Sequence, residues 1–196
     1  SDQMALLSVT REFIFLEDGD VADIKIDKIT IYDFDGNLVN RPINTSKLKV
    51  GQIELGDYDH FMQKEIFEQP QAIRDTLESR ITNDSVVIPA FGYAAEKIFL
   101  KIKQVQIVAC GTSYHAGLVA KYWLEDIAKI PCNVEVASEY RYRNPILQDG
   151  TLFVTLSQSG ETADTLEALN TASKINKNIN TLCITNSAES SLSRIS

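Results

Sequence analysis

The fold of this chain is decided by the stretch Leu152-Phe153-Val154-Thr155-Leu156-Ser157-Gln158-Ser159-Gly160-Glu161-Thr162. It begins with a short run of strand-forming residues, 152–156, and ends in a loop of glycine and small polar residues. A helical pattern follows at residues 162–175. A short apolar run that leads into a helix is typical of a buried strand in a parallel sheet.

The same arrangement occurs upstream. Residues 105–109 form an apolar run that ends in Cys110-Gly111-Thr112-Ser113-Tyr114, and a helical pattern follows at residues 114–128. Further strands are predicted at residues 134–137 and 182–185. Parallel strands need such helical crossovers between them. The sequence therefore predicts an α/β fold with a doubly wound parallel sheet, in which ligands bind at the carboxyl ends of the strands.

The N-terminal part of the chain has a different pattern. Residues 1–57 carry 11 acidic and 6 basic residues, and short apolar runs alternate with turn dipeptides such as Asp35-Gly36. An Asp-Gly pair between strand-forming residues predicts a hairpin, so we expect an antiparallel β-meander. Two helical patterns follow at residues 61–70 and 73–81, and Pro70 is expected at or near the start of the second helix.

Composition excludes several classes of function. The chain has 196 residues and a net charge of −8, which disfavours nucleic acids and anionic membrane surfaces as partners. Apolar runs are too short to span a bilayer, and residues 1–11 carry no visible secretory signal. The three cysteines lack a Cys-x-x-Cys motif and only two histidines are present, so we expect reduced thiols and no metal site. A small phosphorylated ligand remains allowed.

The two hydroxyl-rich loops are the candidate site. Glycine lets backbone N–H groups converge, serine and threonine add donors without bulk, and a helix start contributes partial positive charge, so such loops suit a phosphate or sugar phosphate. The candidate donors are Thr112, Ser113, Ser157, Ser159 and Thr162. The alternative is that these residues only cap helices. Neither loop has a P-loop or dinucleotide-binding motif, which argues against ATP hydrolysis and hydride transfer.

These motifs resemble the sugar isomerase (SIS) family, and within it the first SIS copy of the glucosamine-6-phosphate synthase family. The resemblance rests on Cys110-Gly111-Thr112-Ser113-Tyr114, on the run from Leu156 to Thr165, and on Met62-Gln63-Lys64-Glu65-Ile66. It also includes Phe15-Leu16-Glu17-Asp18-Gly19-Asp20, which is similar to the end of that family's glutaminase domain. Nearly the whole chain is covered.

The resemblance implies a division into three parts. Residues 1–58 would be the β-rich end of an N-terminal-nucleophile glutaminase domain, and residues 59–82 an interdomain linker with the first isomerase helices. Residues 83–196 would be an incomplete first SIS domain with a flavodoxin-like, three-layer αβα fold. The family's catalytic residues would then lie outside this chain, so we expect no catalytic residue here.

The resemblance also implies an activity. The family converts fructose 6-phosphate and glutamine to glucosamine 6-phosphate and glutamate as a homodimer, without a metal or organic cofactor. A cytoplasmic location is expected separately, from the reduced thiols. Carried over by motif, the residues that hold the sugar phosphate are Thr112, Ser113, Ser157, Gln158, Ser159 and Thr162. The alternative is a non-catalytic SIS module that senses a phosphosugar.

Overall fold

A computed structural model describes residues 6–7, 9–46, 55–188 and 190–196. The chain divides into two compact units, Ser1–Glu68 and Gln69–Ser196, and the division falls within the first α-helix. Each unit has its own sheets. None of the helices in the described ranges is both long enough and apolar enough to cross a membrane.

The first unit is built from short antiparallel strands, as the turn signals predict. The strands are β1 (Glu12–Ile14), β2 (Val21–Ile24), β3 (Ile29–Tyr32), β4 (Leu38–Val39) and β5 (Ile43–Thr45). Strands β2, β3 and β4 form a meander, whereas β1 pairs separately with β5. The Asp35-Gly36 hairpin is confirmed between β3 and β4. There the Asp33 carboxylate accepts the backbone N–H groups of Asp35 and Asn37, and Gly36 has a φ of +80°.

One helix, α1 (Phe61–Leu77), occupies the region where two helices were expected. The prediction of a new helix at Pro70 was wrong, because Pro70 lies inside α1. A proline removes one backbone N–H donor and disfavours the preceding turn, but it does not always end a helix. The helix continues past it, and Gln71 donates to the Asp75 carboxylate one turn further on, at 2.6 Å.

The second unit is a three-layer αβα arrangement, as predicted. After a 3₁₀ turn at Ile88–Phe91, its elements are α2 (Ala95–Phe99), β6 (Gln104–Ala109), α3 (Gly111–Asp126), β7 (Cys132–Val136), α4 (Ala137–Tyr140), β8 (Thr151–Ser157), α5 (Ala163–Ile175), β9 (Asn180–Thr185) and α6 (Ser191–Ile195). The four strands form one parallel sheet in the order β7-β6-β8-β9.

Alternate residues of β6 and β8 point to two separate cores. On one face Ile107 and Val154 pack with apolar residues of α2 and α3. On the other face Val108 and Phe153 pack with α4, α5 and α6. Because both faces are covered, the strands are almost continuously apolar, which is the pattern seen in the sequence.

Several boundaries in this unit differ from the prediction by one to three residues, including the starts of β7 at Cys132 and of β9 at Asn180. Helix α3 begins at Gly111, three residues before the expected start at Tyr114. Strand β7 ends at Val136, and Ala137 begins the short helix α4 instead of continuing the strand. The sequence pattern did not predict the end of β7, because Ala137 is fully buried and a buried apolar residue fits either a strand end or a helix start.

Candidate functional site

The two hydroxyl-rich loops begin side by side at one edge of the sheet. Strands β6 and β8 pair in parallel, with Ala109 and Leu156 as partners near their carboxyl ends. From β6 the chain passes through α3 to β7 on one side, whereas β8 lies on the other side of β6. The direction of winding therefore reverses between β6 and β8. In open α/β sheets, ligands bind in the crevice outside such a reversal.

The first loop leads straight into helix α3. Cys110 is the N-cap residue, and it makes no side-chain capping bond. Gly111 follows with a φ of +58°, a left-handed conformation that glycine adopts without strain. Thr112 and Ser113 lie in the first turn of α3, so neither caps this helix. The capping alternative therefore does not account for these two hydroxyls.

The second loop is closed by its own hydroxyl groups. Ser157 is the buried last residue of β8, and its Oγ accepts the backbone N–H of Gly160 at 3.0 Å. The same Oγ lies 3.1 Å from Thr162 Oγ1. Thr162 is the N-cap of α5, but its side chain makes no capping bond. Its hydroxyl is thus directed to Ser157, and capping does not explain its presence.

The remaining residues of the second loop differ in role. Ser159 Oγ accepts the backbone N–H of Glu161 at 3.2 Å, which tightens the turn. The side chain of Gln158 is exposed, whereas its backbone oxygen accepts two hydrogen bonds described below. The loop thus presents Gln158 outward from a fixed backbone.

Sequence reasoning missed a third segment, which follows β9. Thr185 pairs with Ser157 in the sheet, and the backbone N–H of Asn186 donates to the oxygen of Gln158 at 3.2 Å. Thr185 Oγ1 donates to the same oxygen at 3.4 Å and accepts the N–H of Ser187 at 3.3 Å. The first two loops were identified because ligands bind at the carboxyl ends of parallel strands. The same rule applied to β9 would have identified this third segment.

Ser190 packs closely against Gly160 of the second loop. A Cβ placed on Gly160 would overlap Ser190 Oγ and lie 2.8 Å from Thr185 Oγ1, and the φ of Gly160 is +69°. In addition, Leu192 N–H donates to the oxygen of Gly160 at 3.1 Å. Only glycine fits at this position, so the loop and the start of α6 are packed as one piece.

The cysteines of this unit have no visible role in chemistry. Cys110, Cys132 and Cys183 are all free thiols. Burial raises the pKa of Cys132 to about 11, and burial also raises the pKa of Cys183. Neither thiol is therefore a nucleophile at neutral pH. In the part of the chain that the structure describes, no cluster of three or more His, Cys, Asp or Glu residues could hold a metal ion.

The second unit is a parallel sheet between two layers of helices, and hydroxyl-rich loops lie where the direction of winding reverses. These two features define the class of protein. The family model described as "SIS domain" matches residues 98–196, and the chain belongs to this family. The resemblance and the fold class inferred from the sequence are thereby confirmed.

Individual curated proteins are similar to this chain over most of its length. The chain is 57% identical over 175 residues to glutamine-fructose-6-phosphate aminotransferase (isomerizing) of Idiomarina loihiensis, covering 89% of this chain and 29% of the relative. It is 52% identical over 194 residues to the protein of the same name in Pseudomonas putida, covering 99% of this chain and 32% of the relative. The chain thus spans about a third of the length of these relatives.

A solved structure is similar as well. The C-terminal domain of glucosamine-fructose-6-phosphate aminotransferase from Francisella tularensis superposes with a TM-score of 0.66 at 49% identity. The superposition covers 73% of this chain and 40% of that structure.

Proposed function

We propose that this chain binds a sugar phosphate, fructose 6-phosphate, at the edge where β6 and β8 end. The observation that carries the proposal is the reversal of winding between these strands, with hydroxyl-rich loops on both sides of it. The proposed ligand residues are Thr112, Ser113, Ser157, Gln158, Ser159 and Thr162.

Neutral donors suit a single phosphate in an acidic chain. The N-terminal ends of α3 and α5 carry backbone N–H groups without intrahelical partners, and their dipoles favour an anion. The side chains of Thr112 and Ser113 stand in the first turn of α3, and Thr162 caps α5 without using its hydroxyl. A phosphate can therefore gain several hydrogen bonds here without a lysine cluster. Gln158 is exposed and is suited to the sugar hydroxyls.

The whole protein would be an isomerizing glutamine-fructose-6-phosphate aminotransferase that forms glucosamine 6-phosphate and glutamate. This proposal is supported by the identity of 52% to 57% to relatives of that name. Residues 1–58 would then end the glutaminase domain, 59–82 would be the linker, and 83–196 would belong to the first SIS domain. Glutamine would bind outside this chain, and the catalytic groups would also lie outside it.

The same family membership supports a cytoplasmic homodimer. Three free thiols fit a reducing compartment. Sedimentation of the full-length protein tests the proposed dimer, and a concentration-independent monomer would contradict it.

The activity is tested by measuring glucosamine 6-phosphate formation in the full-length protein. We expect glutamine-dependent product. We also expect the double substitution Ser157→Ala with Thr162→Val to raise the KM for fructose 6-phosphate by at least about tenfold, since a hydroxyl donor to a charged group is lost together with the bond that closes the loop. Ser173→Ala is the matched control, because Ser173 is exposed in the last turns of α5. Phosphosugar binding without any product would instead favour the non-catalytic sensor.

A further inference from the structure

An ion pair joins the segment after β7 to the start of helix α5. Arg141 directly follows the short helix α4, and its Nη1 donates to Asp164 Oδ1 at 2.7 Å. Asp164 is the second residue of α5 and lies in its first turn, two positions after the N-cap residue Thr162. The pair therefore stands at the same helix end that the proposed phosphate would use.

A carboxylate at this position has two opposed effects. It stabilises the helix, because negative charge at an N-terminus complements the macrodipole. It also repels any anion that binds at that end, and this repulsion is strong where water is partly excluded. The neighbouring acid, Glu161, is exposed and accepts the backbone N–H of Ser191 at 2.8 Å. Asp164 is the acidic residue in the first turn of α5, and its charge must be neutralised by a cation if an anion is to bind there.

Arg141 follows a helix whose ends are fixed by burial, so its guanidinium is positioned to neutralise Asp164. The residues at both ends of α4, Ala137 and Tyr140, are fully buried in the core that also includes α5. The Arg141 side chain is 26% exposed, and its bond to Asp164 raises the pKa of the guanidinium, so it stays charged at every accessible pH. An arginine placed on a rigid element thus faces the one carboxylate of the α5 first turn.

We propose that Arg141 is a positioning residue for phosphosugar binding: it neutralises Asp164, so that the N-terminus of α5 keeps its affinity for an anion. The inference rests on the proposed function, since it presumes that a sugar phosphate binds at this edge. It assigns Arg141 no contact with the ligand. The effect passes entirely through Asp164.

A double-mutant cycle tests this role. Fructose 6-phosphate is titrated calorimetrically into the full-length protein and its Arg141→Gln, Asp164→Asn and doubly substituted forms at low salt. We expect Arg141→Gln to weaken binding by about tenfold, because it leaves an unpaired carboxylate beside the phosphate. We expect Asp164→Asn to bind as tightly as the wild type or tighter. The double substitution should return to within about twofold of the wild type, since it removes both charges.

A merely structural pair gives a different pattern. If the bond only ties α4 to α5, Asp164→Asn and the double substitution weaken binding as much as Arg141→Gln, and the proposal is overturned. Salt provides a second readout, because 0.5 M NaCl shortens the screening length to about 4 Å and should reduce the Arg141→Gln defect. A defect that is unchanged by salt would also contradict the proposal.

The control is Lys174→Gln. It changes the net charge by the same amount on the same helix, but Lys174 lies near the C-terminal end, about 15 Å from Asp164 along the axis. Its variant should bind like the wild type. If the wild type itself does not bind fructose 6-phosphate, the proposed function fails and this inference fails with it. If the wild type binds and Arg141→Gln has no effect, only this inference fails.

Discussion

The side-chain oxygens of Ser157 and Thr162 lie 3.1 Å apart, although they stand at opposite ends of the loop between β8 and α5. Together with the bond from Gly160 N–H to Ser157 Oγ, this contact closes the loop on itself. Binding to a loop that is already closed costs less conformational entropy than binding to a loop that must first become ordered. The loop is thus preorganised by the same hydroxyls that are proposed to bind phosphate.

Substitution of Gly160 should disrupt this loop. We expect Gly160→Ala to lower the free energy of unfolding by about 3 kcal/mol, because the new methyl would overlap Ser190 and the backbone has a positive φ. Chemical denaturation followed by the fluorescence of Trp123 measures this change.

The control for this substitution is Gly111→Ala. Gly111 has a similar φ of +58°, but a Cβ there has open space around it. We therefore expect a smaller loss of about 1 kcal/mol from backbone strain alone. Equal losses at the two positions would show that the contact with Ser190 is not what makes glycine necessary at 160.

Acid should weaken the first unit through Asp20. Arg41 donates two hydrogen bonds of 2.8 Å to this carboxylate, and together with the N–H of Glu17 it lowers the pKa of Asp20 from 3.8 to about 2. A lowered pKa means that this stabilisation is complete above about pH 4 and is lost as the pH falls toward 2. The protection factors of the β2 and β3 amides, which correct exchange rates for their intrinsic dependence on pH, should therefore fall in that window.

Asp20→Asn should remove most of this dependence on pH. The protection factors in this variant should already be lower at neutral pH and should change less between pH 4 and pH 2. Asp27→Asn, at an exposed position, is the control and should behave like the wild type. An Asp20→Asn protein with the wild-type acid profile would show that other carboxylates govern the transition.

Removing the hydroxyl of Tyr140 should stabilise the second unit. The ring is fully buried against Phe153, and its hydroxyl has no hydrogen-bond partner among the residues that the structure describes. Tyr140→Phe keeps the ring and removes the unpaired oxygen, so we expect the free energy of unfolding to rise by about 1 kcal/mol. Thermal unfolding checks this, with Tyr142→Phe as the exposed control that should have little effect.

The pH dependence of the same variant gives a second check. Burial raises the pKa of Tyr140 from 10 to about 12, so the folded state favours the neutral phenol. The wild type should therefore lose stability as the pH rises from about 10 toward 12, and Tyr140→Phe should lose less. A destabilised Phe variant would mean that the hydroxyl does have a partner in solution.

Much of the second unit could be predicted from sequence because its strands are buried on both faces. The apolar runs around Ile107 and Val154 have no other stable place than the middle of a covered sheet, and each is followed by a helical pattern. The hydroxyls of Ser157 and Thr162 were singled out by residue chemistry for the same reason: they follow such a strand. The roles of the six proposed ligand residues and the domain boundaries stay predictions.

Other features depend on tertiary contacts that sequence patterns do not encode. Helix α4 is only four residues long, Ala137–Tyr140, too short for a helical period to be recognised. The pairing of Arg141 with Asp164 joins positions 23 residues apart, and no local pattern relates them. Pro70 was expected to begin a helix because its local preference is strong, yet the surrounding helix continues through it.

The most direct test of the central claim is calorimetric titration of fructose 6-phosphate into the full-length protein and its Ser157→Ala/Thr162→Ala form. The account predicts saturable binding in the wild type and in Ser173→Ala, and binding at least about tenfold weaker in the double variant, because a hydroxyl donor to the phosphate and the bond that closes the loop are lost together. Equal affinity in the wild type and the double variant, with both proteins folded, would contradict the claim that this loop holds the sugar phosphate.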